Sequence, residues 1–462
     1  MSPTKKNPWL LISVLCLAAG VSNVDIFGIS YVTPFIQKSL SFDNTQIGLL
    51  LSGFWLTFAI SNYITGAVAD RHRNHKAILL VMLLLFACFS VLPALTSMFS
   101  TLLATRLLMG VFDAAVYQLP QSIVVLETPA ERHGLNMGIV QNLGGAFLGV
   151  VVAPLLLVRL AQAFSWRSAF LVVALPGLVC AALVARVVPG RRDRPDSPLP
   201  VARDPDRGEA LGLAQVLRIR NVWLSMVISC FIVGYMTIGF GFLPLYLMKI
   251  DHFAAARMSI VISIMGLAGA VLGVALPAAS DRIGRKPVMI VSSVLGMGAP
   301  LAALYYTGPL AVLGAFMFIG AALIGAAPLT YATIPCESAP AETTSTVIGV
   351  ILAVSAIVGG VAGPSVAGWS ADRWGLAAPL YLAVVCCAVS TVLCTALKES
   401  TPRKNSREKI AGAPPGTEGR CDAPSRAASS GVPSRGPRSA AATAAAASTA
   451  GQPARAGAPG SP

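Results

Sequence analysis

Charge is the first thing this sequence lacks. Only 12% of its 462 residues are Asp, Glu, Lys or Arg, while 55% are apolar. The mean hydropathy is +0.72. That balance excludes an ordinary soluble globule, which needs far more polar surface. Histidine is scarce too. The four present (His72, His75, His133, His252) fall in or beside expected loops, which argues against a histidine proton relay. No G-x-S-x-G, H-E-x-x-H or Walker-type loop occurs, so neither an enzyme nor ATP-driven work within this chain is expected. The nine cysteines show no metal-ligand spacing. Cys16, Cys88, Cys180, Cys230, Cys386, Cys387 and Cys394 sit in apolar runs and read as small packing residues, so no metal and no cofactor is expected. A short cleavable leader is not apparent, because the first apolar run, Trp9 to Val32, is too long for one.

What is present is a recurrence of apolar runs of about 20 residues, the length that spans a bilayer as a helix. Twelve spans are expected, at 9–32, 45–69, 77–96, 101–123, 135–158, 169–188, 222–247, 259–280, 288–305, 310–334, 345–368 and 376–397. The expected fold class is an all-α polytopic membrane protein of 12 transmembrane helices. The chain divides as 1–188, a first six-helix half; 189–221, a basic linker; 222–400, a second six-helix half; and 401–462, a tail. The tail is Ala, Pro, Gly, Ser and Arg with no aromatic residue, and it cannot build a core.

An even number of spans puts both termini on one side. With that side inside, the inner face carries 2+3+1+8+3 = 17 Lys and Arg, the eight counted with Arg186 at the linker's start, against six outside. The tail, counted with Lys398 just before it, adds ten more. Positive charge gathers on the cytoplasmic side, so both termini are expected there, in a plasma (inner) membrane. The net charge of +14 is thereby accounted for by loops and tail, and no nucleic-acid partner is expected.

The chain also repeats itself. Gly66-Ala-Val-Ala-Asp70-Arg71 follows the second span and Pro277-Ala-Ala-Ser-Asp281-Arg282 the eighth, an offset of 277 − 66 = 211. Ala153-Pro154 and Gly363-Pro364 are offset by 364 − 154 = 210. Two features at nearly one offset indicate duplicated, pseudo-symmetric halves. In such plans a site lies between the halves near the midplane.

These residues resemble the major facilitator superfamily. Its cytoplasmic signature, roughly G-x-x-x-D-R-x-G-R-K, is matched by Asp281-Arg282-Ile283-Gly284-Arg285-Lys286, with Pro277 for the leading glycine. The second loop keeps Asp70-Arg71 but has Arg73 for the second glycine. The resemblance implies a transporter working by alternating access, with Asp70, Arg71, Asp281, Arg282, Arg285 and Lys286 in gating loops. An aspartate at a helix C-terminus is poorly placed for its own dipole and is best satisfied by an arginine across the half. Several segments are similar to the anion–cation symporter group: Arg106, Gly110, Asp113 and Pro120 in span four, Pro129-Ala-Glu131-Arg132-His133-Gly134, Phe164-Ser-Trp166-Arg167, Glu337-Ser-Ala-Pro340 and Gly359-Gly-Val-Ala-Gly363-Pro364. Symport of a small organic anion such as a carboxylate with protons is therefore expected. Efflux of drugs or metabolites by antiport is the alternative, and a non-transporting sensor of the same fold a lesser one. A monomer is expected.

The small residues Gly144, Gly145, Pro154, Gly359, Gly363 and Pro364 are expected to bend helices and let them approach closely.

Well inside the spans the sequence offers three ionisable residues of the Asp, Glu, Lys, Arg or His kind: Asp25, Arg106 and Asp113. Each charge in the bilayer centre costs at least ~2.5–3.5 kcal/mol. Asp25 lies 16 residues beyond Trp9, about 24 Å up the first span, and Arg106 five residues below Thr101, about 7 Å from the outer edge. Similar heights lead to the expectation that they pair with each other or share a substrate anion. Asp113 lies deeper and is the expected proton carrier. Expected pocket residues are Asn23, Tyr31, Trp55, Tyr117, Gln118, Gln141 and Asn142 from the first half and Tyr235, Phe240 and Tyr331 from the second. That asymmetry suits an amphiphile with its anionic head at Arg106.

Overall fold

The computed structural model describes residues 8–72, 74–128, 136, 139–190, 216–338 and 344–399. Within these, the side chains of residues 67, 70, 125, 141–143 and 344–346 are not described. Arg73, the segment 129–134, most of the linker 189–221, Pro340 and the tail 401–462 lie outside the described residues, as do the side chains of Asp70, Gln141 and Asn142.

Twelve helices are long and apolar enough to cross a membrane, the number expected. They are α1 (Pro8–Leu40), α2 (Asn44–His72), α3 (His75–Leu95), α4 (Phe99–Glu127), α5 (Ile139–Val152 running into Ala153–Ala163), α6 (Trp166–Val187), α7 (Arg220–Lys249), α8 (Ala255–Ile283), α9 (Arg285–Tyr305), α10 (Leu310–Ser338), α11 (Thr344–Ser355, Ala356–Ala362 and Gly363–Trp374) and α12 (Ala378–Thr395). No strand occurs among the described residues. A chain in lipid must satisfy its backbone within each segment, and helices do so.

Helix ends carry their own chemistry. Asn74 caps α3 by accepting from the Ala77 N–H at 3.3 Å, and Ser165 caps α6 through the Arg167 N–H at 3.3 Å. At α2, Asp43 accepts from the Gln46 N–H at 2.6 Å while the Gln46 side chain accepts from the Asp43 N–H at 3.1 Å, a reciprocal capping box. Gly284 and Gly375 end α8 and α11 at φ of +117° and +87°, the left-handed region that favours glycine.

The duplication shows in the geometry of α5 and α11. Each carries a stretch of wider, π-type turns, Ile139–Val152 and Ala356–Ala362. Each stretch ends at the pair Ala153-Pro154 or Gly363-Pro364, after which ordinary helix resumes. Each of these helices also packs closely on the first helix of its half. A Cβ at Gly149 would fall 2.9 Å from the Asn23 carbonyl oxygen of α1, and one at Gly359 would fall 2.7 Å from the Gly234 nitrogen of α7. Across the same contacts, Tyr31 Oη donates to the Gly149 carbonyl and Thr237 Oγ1 to the Gly359 carbonyl, both at 3.1 Å. Small residues thus let backbones touch where lipid supplies no hydrophobic drive between helices.

Several helix pairs join the two halves, all toward the face that carries the α1–α2 and α11–α12 turns. On α1 and α7, the Phe27 and Phe240 rings meet at 5.1 Å. Ser263 of α8 donates to the Val151 carbonyl of α5 at 2.9 Å. Between α2 and α11, Ser52 donates to the Val361 carbonyl at 2.7 Å and Ser365 donates to Ser52 at 2.8 Å. Gly48 leaves no room for a Cβ against the Pro364 carbonyl, nor Gly368 against that of Asn44.

Candidate functional site

The site is built from α4 outward. Arg106, Gly110 and Asp113 are spaced i, i+4, i+7, so they share one helical face. Gly110 determines what that face meets. A Cβ there would stand 2.5 Å from the Phe54 carbonyl and collide with Thr57 Oγ1, so only glycine lets α2 come this close. As a result the Phe54 ring lies over the Arg106 guanidinium, 4.6 Å from centroid to Cζ, a cation–π contact of real weight when desolvated. From α1, Asp25 Oδ2 accepts from Arg106 Nη1 at 3.1 Å, and both side chains are 1% exposed. The sequence expected these two to pair or to share an anion, and here they pair directly.

Asp113 is fully enclosed. Asp25, Arg106 and Ser22 all lie within electrostatic reach of its carboxyl. The Ser22 hydroxyl is the hydrogen-bonding group beside this carboxyl, and neither carboxyl oxygen makes a well-formed hydrogen bond. With both aspartates ionised, one cation faces two anions, leaving this enclosed cluster with a net charge of −1. Isolated buried charge is costly, and one proton on either carboxyl would bring the three groups to neutrality.

An aromatic wall runs from Arg106 to the seam between the halves. Phe54 stacks on Phe58 (5.6 Å, 27°) and meets Trp55 edge-on at 6.1 Å; Phe58 touches Trp55 at 5.4 Å and Tyr117 at 5.8 Å. From the second half, Tyr331 comes within electrostatic reach of Tyr117, and Gly360 packs beneath Trp55. Gln118 keeps a buried, unpartnered Oε1 next to Gly66. Trp55, Tyr117 and Tyr331 are therefore brought together, while Gln118 packs against Gly66 of α2. Asn23 is engaged in its own helix, donating to the Ala19 carbonyl at 2.8 Å and packing on Gly145. Tyr31 and Tyr235 are buried and tie helices within a half, Tyr31 as above and Tyr235 Oη between the Gly296 and Gly320 carbonyls, 3.1 Å from each. Phe240 packs on Phe27 in the seam.

Around the eighth loop the expected arginine across the half is not what Asp281 meets. Asp281 pairs with Arg285 of its own loop at 2.6 Å and is mostly exposed. The second carboxylate on Arg285 is Glu337 at the end of α10, whose Oε1 lies 2.8 Å from Arg285 Nη2. The reason is the turn at Gly284: its φ of +117° ends α8 and folds Arg285, the first residue of α9, back onto Asp281, so the aspartate finds its counter-charge locally. Arg282 is exposed. The Lys286 and Arg285 N–H groups, at the start of α9, are both taken by Glu399 (3.2 and 2.7 Å).

Sequence reading missed Phe54, Phe58 and Ser22, and it missed Asp372 at the end of α11. The aromatic pair had a visible signal, Phe54 and Phe58 being i, i+4 around Trp55. Asp372 had one too. Asp372-Arg373-Trp374-Gly375 repeats the pattern Asp281-Arg282-Ile283-Gly284 on the other face.

Comparison with known proteins agrees with this architecture. A family model described as Major Facilitator Superfamily matches residues 15–362. The chain is 27% identical over 286 residues to the hexuronate transporter of Bacillus subtilis (strain 168), covering 61% of this chain and 66% of that one. It is 24% identical over 293 residues to a probable sulfoacetate transporter, SauU, of Cupriavidus necator, with the same shares covered. It thus spans just under two thirds of the length of these curated relatives. Among solved structures, a bacterial homolog of the human lysosomal transporter Spinster, in an inward-facing and unoccupied conformation, superposes with a TM-score of 0.69 at 16% identity, over 86% of this chain and 98% of that one.

Proposed function

The chain belongs to the major facilitator superfamily, and on that premise we propose that it carries a small organic anion together with a proton, by alternating access, in the plasma (inner) membrane. The observation that supports this most is Asp113, enclosed without a well-formed hydrogen bond beside the Asp25–Arg106 pair. Consider an anion approaching Arg106. It adds a negative charge to a cluster that already holds two carboxylates for one guanidinium. Its arrival is tolerated only if a carboxylate takes up a proton. Anion and proton therefore favour each other's binding, and by linkage the preference is reciprocal. Cargo and driving ion then move in the same direction, which is symport. Asp113 is the proton carrier and Arg106 the anion's counter-charge.

The aromatic wall supplies the route. The Phe54 ring covers Arg106 and abuts Trp55 and Phe58. An anion reaches the guanidinium when that ring swings aside, its less polar body resting on Trp55, Tyr117 and Tyr331. Relatives are named as a hexuronate transporter and a probable sulfoacetate transporter, both for small organic anions, which supports the substrate class. The seam joined at the α1–α2 face, with the termini in the cytoplasm, corresponds to a carrier closed to the outside.

The test is a thermal-shift panel on the purified protein at two pH values. Its probes are a uronate, a sulfonate, an aromatic carboxylate and a set of cationic and neutral drugs. One or more anions should stabilise the wild type, and more so at the lower pH. Asp113→Asn should keep the stabilisation and lose its pH dependence, and Arg106→Ala should lose it altogether. Stabilisation by cationic or neutral compounds alone would overturn the anion reading. An unchanged pH dependence in Asp113→Asn would remove its role as proton carrier.

A further inference from the structure

The N-terminus of α2 is held by two carboxylates from different halves of the molecule. Asp43 satisfies the Gln46 N–H through the capping box. That leaves the first two N–H groups of the helix, those of Asn44 and Thr45. Both are taken by Asp372 from the end of α11. Asn44 donates its backbone N–H (3.0 Å) and its side-chain Nδ2 (2.8 Å) to Oδ1, and Thr45 donates its N–H (2.7 Å) and its hydroxyl (2.6 Å) to Oδ2. Both carboxylate oxygens are thus doubly engaged, at the positive end of a 29-residue helix. Charge-assisted bonds to helix N-terminal amides are among the stronger kinds. Behind this grip, toward the molecule's interior, lie the tightest contacts of the α2–α11 seam: Gly48 on Pro364 and Ser52 on Val361 and Ser365.

We propose that Asp372 is the positioning residue of closure on this face. It holds the N-terminus of α2 from the opposite half, and each transport cycle must release that hold for the α1–α2 face to open. The inference rests on the alternating-access reading, although it requires neither the anion nor the proton assignment. Opening parts α2 from α11 and returns the Asn44 and Thr45 amides to water. The latch consists of those four bonds measured against hydration. At this exposed position water replaces much of what is lost. Removing the carboxylate should therefore shift the open population on the order of tenfold, equivalent to ~1.4 kcal/mol at 25 °C.

The experiment uses a Ser52→Cys reporter in the full chain, reconstituted in lipid nanodiscs. The rate of reaction at position 52 with a small charged methanethiosulfonate is read by peptide mass spectrometry, so the native cysteines stay in place. Asp372→Ala should speed labelling roughly tenfold. Asp372→Asn should do nearly as much, because its amide NH2 faces donors. Asp372→Glu, which keeps the carboxylate, should remain near the parent rate. Thr45→Ala tests the same contact from the other helix, should any Asp372 variant fail to fold, and should give a smaller increase. A Gly48→Leu wedge, which forces the seam apart at Pro364, serves as the positive control. If the wedge labels quickly while Asp372→Ala and Thr45→Ala label at the parent rate, the latch is refuted and alternating access stands. If no variant labels faster, the wedge included, this face does not open and the alternating-access reading falls with the latch.

Discussion

Replacing Arg106 by Gln tests the electrostatics of the cluster most directly. The guanidinium is enclosed, with Asp25 at 3.1 Å and Asp113 within electrostatic reach. Taking it away leaves two buried carboxylates and no cation. Breaking a buried pair from one side costs ~3–5 kcal/mol, because the stranded charge cannot reach water. In a chain of this size that corresponds to a fall in the thermal midpoint of about 3–6 °C. Asp25→Asn is a different perturbation. Its amide oxygen can still accept from Nη1, and Asp113 remains to balance Arg106, so the remaining pair is neutral. Its cost should stay below ~2 kcal/mol. The double variant Arg106→Gln/Asp25→Asn should recover part of the single loss, since only one carboxylate remains stranded. The assay is thermal denaturation of the detergent-purified protein, followed by tryptophan fluorescence at neutral and mildly acidic pH. Acid should narrow the gap for Arg106→Gln, because bound protons remove the stranded charge. If Arg106→Gln and Asp25→Asn cost the same within ~0.5 kcal/mol, the charge reasoning fails.

Gly110→Ala should lower stability by ~1–3 kcal/mol, the usual cost of overpacking, because its Cβ meets the Phe54 carbonyl backbone, which cannot yield. Gly349→Ala, in α11 with nothing within 4 Å of its Cβ, is the control and should be neutral within ~0.5 kcal/mol; equal melting temperatures for the two would contradict the close approach of α2 and α4. Glu337→Gln should cost ~1–2 kcal/mol by weakening its bonds to Arg285. Combined with Arg285→Ala it should be less than additive, and strict additivity in denaturation would show that the pair does not act as a unit.

The helices were legible because lipid imposes a length and a composition that no soluble core requires. The pairing of Asp25 with Arg106 was legible for a related reason. Charges in the bilayer are so few that counting residues from the span edges leaves little choice of partner. What stayed hidden depends on contacts between segments far apart in sequence. Nothing in α2 announces that Phe54 rather than Trp55 will cover the arginine, because that choice is made by the missing Cβ of Gly110 on another helix. At Tyr31 and Tyr235 the partners seen here were hidden for a similar reason. A tyrosine in an apolar run needs a hydrogen-bond partner, and a backbone carbonyl exposed by a nearby glycine satisfies it as well as a substrate does. Asp281 meets Arg285 because the chain turns back at Gly284, a local fold that a search for partners across the half does not reveal.

The proposed coupling and the proposed closure meet on one helix. Within residues 44–58 of α2 lie the amides held by Asp372, the Gly48 contact with Pro364, the Ser52 bonds to α11, the Phe54 ring over Arg106 and the Thr57 contact with Gly110. Those residues rise about 21 Å along one continuous helix, which bends far less readily than its ends can shift. A change of charge at Asp113 that moves the Arg106 guanidinium must displace Phe54 or lose the cation–π contact. We propose that where the Thr57–Gly110 contact leaves the ring too little room to turn, the displacement passes to the backbone of α2, whose far end is gripped from the other half. Protonation and seam closure are then alternatives within one mechanical element, and no longer chain of contacts between them is needed. The second half needs no buried ionisable group for this: it contributes Asp372 at the rim and small residues along the seam, while the first half keeps the charges.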